Sequence, residues 1–423
     1  MVKGSIFMNK QQLLKIFIIN QTFHWFILGI ILPVIALLQL EKGLNLFQIG
    51  ISMAICSGTV VILELPTGGL SDTIGRKKVY LISLMIKFGA AFVLLIAQDF
   101  QGIILGFLLL GMARAFSSGS MDAWFVDEFR LINPKGNLQE ALARIGIFIP
   151  IGLAVGSLLG GFLPMSFGKI TNQIPGLGTY SSNLIAILFF VIIQYLLTSK
   201  LIIEEIPPKR KSDFISGFKL LPEVISTSIQ YGIKNNTIFL LLLSTFAWGV
   251  GFSGLETFWQ PQVKNILGSD SQTWIFGALT AGYFFAGSLG NMLITPLCKL
   301  FKNNYSLVLF LIRLFMGVLF FILALQNKIA GFTIFYLTLF LYNGMNNAPH
   351  ATIFNYQIPS EKRSTLLSFE SLFLQIGGLS GALIMGYISN SFSITIAWFI
   401  GSAVLVLSCF TYLFLFLSKK GIV

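Results

Sequence analysis

The chain has 423 residues, of which 55% are hydrophobic and only 10% are charged, and its mean hydropathy is +0.83. These values exclude an ordinary water-soluble domain, in which about a quarter of the residues are charged. The formal net charge of +12 would suit a nucleic-acid partner, but the positions of the basic residues, given below, argue against one.

Long apolar runs recur along the whole chain. Each run is long enough to cross the ~30 Å hydrocarbon layer of a membrane as a helix. The runs do not alternate apolar and polar residues, as the strands of an outer-membrane barrel would. We therefore predict an all-α membrane protein with twelve transmembrane helices, spans 1 to 12, at residues 13–40, 46–69, 79–97, 101–127, 139–167, 181–203, 237–262, 272–298, 305–325, 330–355, 364–390 and 392–418.

The basic residues follow the topology that these spans define. If the N-terminus is inside, 21 of the 28 lysines and arginines lie in inner loops and tails, and only Lys42, Lys169, Lys264 and Lys328 lie outside. This bias is the positive-inside rule, so we expect both termini in the cytoplasm and the chain in the inner membrane. The net charge is then a matter of topology, and we expect no nucleic-acid partner.

The cysteines and the N-terminus add two expectations. Cys56, Cys298 and Cys409 lie scattered in apolar spans or at a span end, so they predict neither a disulfide nor a metal site. Span 1 is too long for the core of a signal peptide and lacks a small-residue cleavage site, so we expect it to be retained. We expect no metal and no cofactor.

The longest polar interval, 204–236, separates six spans from six. It divides the chain into an N-terminal bundle (1–203), a cytoplasmic linker and a C-terminal bundle (237–423). Apolar residues between 214 and 225 indicate an amphipathic helix at the inner membrane surface, with a merely solvated linker as the alternative.

The two halves also resemble each other in sequence. At an offset of 225 or 226 the first half matches the second at Gly152 and Gly377, Gly156 and Gly381, Gly161 and Gly386, Phe167 and Phe392, and Lys87 and Arg313. Two six-helix halves related by pseudo-two-fold symmetry are a known transporter plan, with the substrate held near the midplane where they meet.

The loop between spans 2 and 3 concentrates charge and glycine in the stretch Gly68-Gly69-Leu70-Ser71-Asp72-Thr73-Ile74-Gly75-Arg76-Lys77. This stretch resembles the G-x-L-x-D-x-x-G-R-K loop of the major facilitator superfamily, and it lies where that family has it. With the twelve spans and the division into two halves, the resemblance covers essentially the whole chain. It implies the major facilitator fold and alternating-access transport.

The resemblance further implies that this loop is a cytoplasmic gate. Gly68 would let span 2 approach span 11 closely, and Asp72 would face the N-terminus of span 11, where the helix dipole favours a carboxylate. Arg76 would join Asp72 to Asp127 at the cytoplasmic end of span 4. We predict that these residues and Gly75 latch the halves together inside while the protein is open outward. The alternative is a plain basic turn, which explains the lysines but not the glycines and Asp72.

Polar residues within the membrane collect on spans 1, 4, 7 and 10, which the resemblance implies line the central cavity. A buried charge costs at least about 2.5–3.5 kcal/mol on insertion scales, so such groups are functional candidates. Two of these groups are histidines, His24 and His350. Each would change charge near neutral pH, but a hydrogen-bonded structural role is the simpler interpretation for each. The predicted cavity residues are His24, Arg114, Asp122, Trp248, Glu256, Asn343, Asn347 and His350, with Asn346 on the same span as the last three.

Span 4 carries two of these charges. On a continuous helix, Asp122 would lie about 80° around from Arg114 and ~12 Å along, so the two would share a broad face without contact. Arg114 keeps its charge and needs an anion, either a carboxylate or the substrate. Burial favours the neutral form of Asp122 and a nearby arginine its ionised form, so we predict that Asp122 carries a coupling proton. A static ion pair is the alternative.

Three other carboxyls are predicted proton-coupling sites. If spans 2 and 11 pack together, Glu64 and Glu370 lie at similar depth and could share a proton; the alternative is two neutral acids bonded separately to backbone. Glu256 lies between Trp248 and Trp259, where it would receive a cationic, lipophilic ligand. The alternative is that aromatic residues are simply abundant and Trp259 anchors the membrane interface.

Two more features bear on structure and direction. Lys87 and Arg313 fall on the outer spans 3 and 9, and their repeat relation favours an inherited structural role such as snorkelling. Span 5 contains Gly156-Ser157-Leu158-Leu159-Gly160-Gly161, where antiporters of the family have Gly-Pro-x-x-Gly-Gly. The glycines are present and the proline is missing, which weakens the inference of export without removing it.

These features together predict a secondary active transporter, proton-coupled, that exports lipophilic or cationic small molecules. The alternatives are a proton symporter that imports a polar or anionic nutrient or chelate, which Arg114 would anchor, and a non-transporting membrane sensor. There is no nucleotide-binding loop and no catalytic triad, so we expect neither an enzyme nor an ATP-driven pump. The expected partners are a small-molecule substrate, protons and the lipid bilayer, and we expect a monomer.

Overall fold

A computed structural model of the chain describes residues 9–134, 136–204, 234–269, 271–358 and 363–418, with the backbone alone at a few of them. The described residues form long helices packed in one bundle, which confirms the predicted all-α fold. Ten helical stretches are long and apolar enough to cross a membrane. Spans 8 and 10, of 28 and 29 residues, lie in the same bundle and carry more polar residues. The predicted linker helix at 214–225 lies outside the described residues.

Each predicted span is present, and its ends fall within about one and a half helical turns of the prediction. The N-terminal half contains Lys10–Ile31 with the short helix Ile35–Glu41 (span 1), Leu46–Ile74 (2), Arg76–Ile96 (3), Phe100–Ser117 with Ser120–Ile132 (4), Leu138–Ser166 with the single turn Gly168–Thr171 (5) and Ser181–Leu201 (6). The C-terminal half contains Asn236–Leu267 (7), Thr273–Leu300 (8), Tyr305–Ala324 (9), Ile329–Gln357 (10), Arg363–Ser391 (11) and Ile394–Leu417 (12).

Polar caps begin many of these helices. An asparagine, aspartate or serine side chain accepts a hydrogen bond from a backbone N–H of the first turn, which would otherwise have no partner. The capping residues are Asn9, Asn45, Asp99, Asn137, Asn235, Asn304 and Ser393. Span 1 breaks after Ile31 because Pro33 cannot donate to the preceding turn.

The repeated glycines explain how each half packs. A Cβ atom at Gly156 of span 5 would clash with the carbonyl of Phe26 in span 1, and a Cβ at its repeat partner Gly381 of span 11 would clash with the carbonyl of Val250 in span 7. Only glycine lets the backbones come this close. The glycine repeat in the sequence therefore corresponds to a repeated helix crossing: span 5 crosses span 1 in the first half, and span 11 crosses span 7 in the second half.

A third pair of repeated glycines joins the two halves. A Cβ at Gly161 of span 5 would lie 2.8 Å from the Cα of Gly277 in span 8, and a Cβ at Gly386 of span 11 would lie 3.2 Å from the Cα of Gly50 in span 2. The hydroxyl of Thr273 also donates to the carbonyl of Gly161 at 2.5 Å. Both crossings lie near the end of the bundle that holds the loop between spans 1 and 2, which we call the span 1–2 end.

Charged side chains close the helix ends of spans 3 and 6 at the opposite end of the bundle. The carboxylate of Glu204 accepts from the backbone N–H groups of Arg76 at 2.7 Å and Lys77 at 2.9 Å, where span 3 begins. The ammonium of Lys77 donates to the carbonyl of Ser199 at 2.8 Å, where span 6 ends. An anion at a helix N-terminus and a cation at a C-terminus both complement the helix dipole.

Charged side chains also cap helix ends at the span 1–2 end. Glu41 accepts from the backbone N–H of Thr179 at 2.6 Å, next to the start of span 6, and Lys42 donates to the carbonyl of Ala97 at 2.7 Å, at the end of span 3. Spans 3 and 6 are thus tied together by four charged residues.

Apolar side chains form both the core and the outer surface, as a lipid environment requires. Trp124 and Trp398 are fully buried in the N-terminal and C-terminal halves. Around the outside, large residues such as Met85, Met292 and Phe414 are more than half exposed.

Candidate functional site

A polar cavity of about 390 Å³ lies within the C-terminal half, between spans 7, 9, 10 and 11. It brings together four of the predicted cavity residues, Trp248, Asn343, Asn347 and His350. Its lining consists of Thr245, Trp248, Arg313, Asn343, Asn346, Asn347, His350, Leu367, Glu370, Ser371 and Leu374.

The helical period places the polar face of span 10 in this cavity. Asn343, Asn346, Asn347 and His350 follow a spacing of three, four and seven residues, so they share one side of the helix. The indole N–H of Trp248 donates to the side-chain oxygen of Asn343 at 3.0 Å, which fixes the ring across from span 10.

His350 and Glu370 form a close pair in this cavity. The Nε2 atom of His350 lies 2.6 Å from Oε1 of Glu370, and its Nδ1 atom lies 2.8 Å from the hydroxyl of Tyr412. His350 is only 8% exposed. A histidine bonded to a carboxyl group inside the bundle is a candidate site for a proton.

Arg313 is the unexpected member of the cavity. It is 1% exposed and points inward from span 9, where its Nη2 atom donates to the side-chain oxygen of Asn346 at 3.3 Å and to the hydroxyl of Tyr412 at 3.4 Å. Its guanidinium carbon also lies 5.7 Å from the centre of the Tyr412 ring. The predicted snorkelling of Arg313 is therefore wrong, because spans 10 and 12 offer it polar partners inside the bundle.

A second polar cluster lies in the N-terminal half. The hydroxyl of Tyr80 lies 2.9 Å from Nδ1 of His24 and accepts a hydrogen bond from Gln194 at 2.7 Å. Asp122 accepts from the side chain of Gln21 at 3.3 Å and lies near enough to Tyr80 to interact electrostatically. The structure thus brings the predicted residues His24 and Asp122 into one cluster.

Span 4 is not the continuous helix that the sequence suggested. It breaks between Arg114 and Asp122, where Gly119 has the left-handed φ of 69°. The predicted 80° separation of these two residues assumed unbroken helical geometry, so it does not apply to this span. Two serines and this glycine in Ser117-Ser118-Gly119 are the local signal for the break.

Hydroxyl groups satisfy the carbonyls that the break leaves unpaired. The hydroxyl of Thr67 in span 2 lies 3.0 Å from the carbonyl oxygen of Ala115 and shares its single hydrogen between that oxygen and the carbonyl of Leu63 at 2.9 Å in its own helix, and Ser120 bonds back to the preceding turn. Such compensation is what allows a helix to break inside a membrane. The hydroxyl of Ser118 donates to Glu64 at 3.3 Å, so the predicted coupling residue Glu64 lies at the break. Within the described chain no hydrogen bond joins Glu64 to Glu370, although spans 2 and 11 do pack together.

Arg114 in the N-terminal half and Glu256 in the C-terminal half lie near enough to interact electrostatically. Both side chains are exposed, and no ion pair joins them among the described residues. Glu256 also interacts electrostatically with Tyr283 and Tyr336 in the C-terminal half. Trp259 is 3% exposed and packs on Tyr336 with ring centres 5.5 Å apart. An interfacial anchoring role for Trp259 is therefore wrong.

Of the contacts predicted for the cytoplasmic gate, the structure describes the one between Arg76 and Asp127, and it is present. Gly75 has a φ of +99°, which favours glycine, and it forms the corner between spans 2 and 3. The guanidinium of Arg76 forms an ion pair with Asp127 at 2.5 Å. The surroundings of Gly68 and of the Asp72 side chain lie outside what the structure describes. The gating role of these residues stays a prediction.

Sequence reasoning missed several residues of the two clusters. The position of Arg313 was a usable signal, because a charge in the middle of an apolar span has a high free-energy cost in the membrane unless it has polar partners or a functional role. Tyr80, Tyr412, Gln21 and Gln194 give no such signal, since one tyrosine or glutamine in an apolar helix has many structural uses.

Comparison with known proteins agrees with this architecture. The family description "Major Facilitator Superfamily" matches residues 17–359. The chain is 23% identical over 312 residues to the "Quinolone resistance protein NorA" of Staphylococcus aureus (strain COL), which covers 69% of this chain and 74% of that protein. It is also 23% identical over 217 residues to an "Uncharacterized transporter" of Buchnera aphidicola subsp. Schizaphis graminum, covering 51% and 49% of the two chains.

Solved structures share the fold at low sequence identity. The nucleoside transporter NupG aligns with a TM-score of 0.75 and 14% identity over 96% of this chain and 99% of that one. A bacterial homologue of the human lysosomal transporter Spinster, in an inward-facing and unoccupied conformation, aligns with a TM-score of 0.70 and 14% identity over 99% and 98%. Because the family match extends over most of its length, the chain belongs to the major facilitator superfamily and is a multi-pass membrane transporter, not an enzyme.

Proposed function

We propose that this transporter exchanges protons for lipophilic or cationic small molecules and exports them from the cell. The observation that carries the proposal is the contact of 2.6 Å between His350 and Glu370 in a cavity of ligand size. A carboxyl bonded to an imidazole has protonation states of different net charge, so a proton gained or lost there changes how the cavity holds a charged ligand.

Export is supported by two observations. The Staphylococcus aureus protein NorA, which is 23% identical to this chain over 312 residues, is named for quinolone resistance. The glycines of the antiporter signature also have a packing role here, since Gly156 crosses span 1 and Gly161 crosses span 8. The missing proline is not needed for these crossings.

Asp122, Glu64 and Glu256 complete the proposed set of coupling groups. Asp122 lies in the N-terminal cluster beside Tyr80, Glu64 lies at the break in span 4, and Glu256 interacts electrostatically with Arg114 of the other half. Glu370 is the group we place first, because among these four carboxyls it has the shortest described contact to another titratable side chain.

The contacts between the halves suggest which side is closed. The glycine crossings lie toward the span 1–2 end, and there the side chain of Gln260 in span 7 also donates to the carbonyl of Leu32 at 2.6 Å. With the proposed cytoplasmic termini, this end is the outer one. The state described here is then closed outward, and the latch around Asp72 and Arg76 acts in the opposite state.

A second candidate function is import of an anionic solute together with protons. The observation that favours it is Arg313, a cation that lines the same cavity. Both candidate functions use the His350–Glu370 pair as the proton site. They differ in the charge of the solute and in the direction in which it moves.

Inside-out vesicles with and without an imposed pH gradient separate these functions. A panel of lipophilic cationic, neutral and anionic dyes is added to vesicles with an acid lumen. Exchange predicts that a transported dye raises the pH of the lumen as it accumulates, whereas symport predicts that proton and dye move in the same direction. No proton-linked flux with any dye, in vesicles shown to contain folded protein, would contradict the proposal and favour a sensor.

A further inference from the structure

Arg313 has more hydrogen-bond donors than its surroundings use. A guanidinium carries five N–H donors. Among the residues that the structure describes, only Nη2 is bonded, at distances of 3.3 and 3.4 Å, which are long for such bonds. Among the described residues, neither Nε nor Nη1 has an acceptor, although both atoms are fully buried.

Within the described part of the chain, no carboxylate forms an ion pair with Arg313. Glu370 is the acidic residue that lines the same cavity, and it is bonded to His350 at 2.6 Å. Removing a cation from water without an anion beside it is strongly unfavourable. A purely structural arginine would be expected to have its donors filled by protein groups, as buried polar groups generally do.

The walls around Arg313 suit a small organic ligand. The cavity volume of about 390 Å³ falls within the range of small-molecule sites. Trp248 supplies an aromatic surface, and the amides of Asn343 and Asn347 add polar groups that orient a bound molecule. Arg313 lines this cavity, and its planar fork matches carboxylate and phosphate oxygens, so a shift of its side chain toward the cavity would bring the buried Nε and Nη1 atoms to an acidic group.

We propose that this cavity binds the acidic group of a small molecule, a carboxylate or a phosphate, with Arg313 as its anchor. As cargo, such a molecule fits the lipophilic solutes of the proposed function and the anionic solutes of the second candidate, and the proposal rests on the transport function only in that identification. Binding itself requires no transport, so the two are separately testable.

Four probes that share one aromatic ring test the proposal on the purified full-length protein in nanodiscs. Benzoate and phenyl phosphate carry the two acidic groups, benzamide is neutral and benzylamine is cationic. Binding is measured by calorimetry and by the shift in thermal unfolding temperature. We expect benzoate or phenyl phosphate to bind at least about tenfold more tightly than benzamide and benzylamine, because charge-assisted hydrogen bonds are the stronger ones. Whichever acid binds more tightly identifies the acidic group.

Two variants assign the effect to Arg313. Arg313→Gln should remove the preference for the acidic probes, whereas Lys87→Gln, at the repeat-related position, should keep it. If Arg313→Gln does not fold, Asn347→Asp serves instead, because it places a second negative charge in the cavity and should weaken benzoate binding while Arg313 remains.

The proposal is overturned if the acidic probes bind no better than benzamide, or if the Arg313 and Lys87 variants lose binding equally. Loss of proton-coupled flux in vesicles with acid binding intact would instead contradict the transport function and leave the binding site in place.

Discussion

Replacing Gly161 by alanine should push the two halves apart at the span 1–2 end. The new Cβ would lie 2.8 Å from the Cα and the N atom of Gly277 and 2.8 Å from the carbonyl oxygen of Thr273. All three atoms belong to span 8 of the other half, and two of them are backbone atoms of a glycine. A side-chain rotation cannot relieve this contact, so the helices themselves must separate.

The size of the effect follows from the geometry. Ordinary contacts of a Cβ begin near 3.4 Å, so spans 5 and 8 must move by several tenths of an ångström. Added atoms in a well-packed contact typically cost about 1–3 kcal/mol. The cost applies only to the state in which this end is closed, because the contact is absent once the halves separate there. The population should therefore shift toward the state open at this end by about 5- to 150-fold.

Spin labels at two exposed loop positions report this shift. Gln173 lies between spans 5 and 6 of one half, and Asn327 lies between spans 9 and 10 of the other. Pulsed distance measurements in Gly161→Ala should show a larger fraction of long distances than in the parent protein.

Gly378→Ala is the matched control. It lies in span 11, and an added Cβ there meets no other atom within 4 Å. It should leave the distance distribution unchanged. An unchanged distribution in Gly161→Ala as well, or an equal shift in both variants, would refute the proposed closure by glycine crossings.

Four further predictions concern coupling and stability. Glu370→Gln removes the carboxylate bonded to His350 at 2.6 Å and should lower gradient-driven transport at least about tenfold while solute exchange without a gradient persists, as measured in vesicles. Asp122→Asn should abolish gradient-driven accumulation in folded protein, and full coupled transport in this variant would remove Asp122 from the mechanism. Thr67→Val removes a hydroxyl hydrogen that the buried carbonyl of Ala115 shares with the Leu63 carbonyl and should destabilise the protein by about 0.5–1.5 kcal/mol in thermal unfolding, whereas Thr59→Val, whose described hydrogen bond lies within its own helix, should cost less. Glu204→Gln weakens the anion at the start of span 3 and should cost about 0.3–1 kcal/mol in thermal unfolding, and an unchanged stability would argue against the cap.

The sequence was most informative where one local rule decides the structure. Apolar length alone located the spans, because a membrane helix must satisfy its own backbone and match the thickness of the bilayer. The glycine repeat indicated that the two halves are related, and the related positions Gly156 and Gly381 do make matching crossings. The family resemblance likewise placed Asn343 and His350 in a cavity.

The structural features that the sequence did not predict depend on contacts between segments that are far apart in the chain. The inward turn of Arg313 depends on Tyr412 in span 12 and Asn346 in span 10, and no spacing within span 9 reveals those partners. The break in span 4 is stabilised by Thr67 from span 2, so the serines of span 4 alone do not decide it. Glu204 looked like the first residue of a solvated linker, and its role as a cap follows only from the packing of span 6 beside span 3.

The most direct test is to record lumen pH and solute uptake together in proteoliposomes that contain the parent protein or Glu370→Gln. The dye that the vesicle panel shows to be transported serves as the solute, and an acid lumen provides the driving force. Proton exchange through the His350–Glu370 pair predicts that uptake by the parent protein raises the lumen pH in proportion to the dye taken up, and that Glu370→Gln shows neither change. Equal uptake and equal pH change in the two proteins would contradict this mechanism.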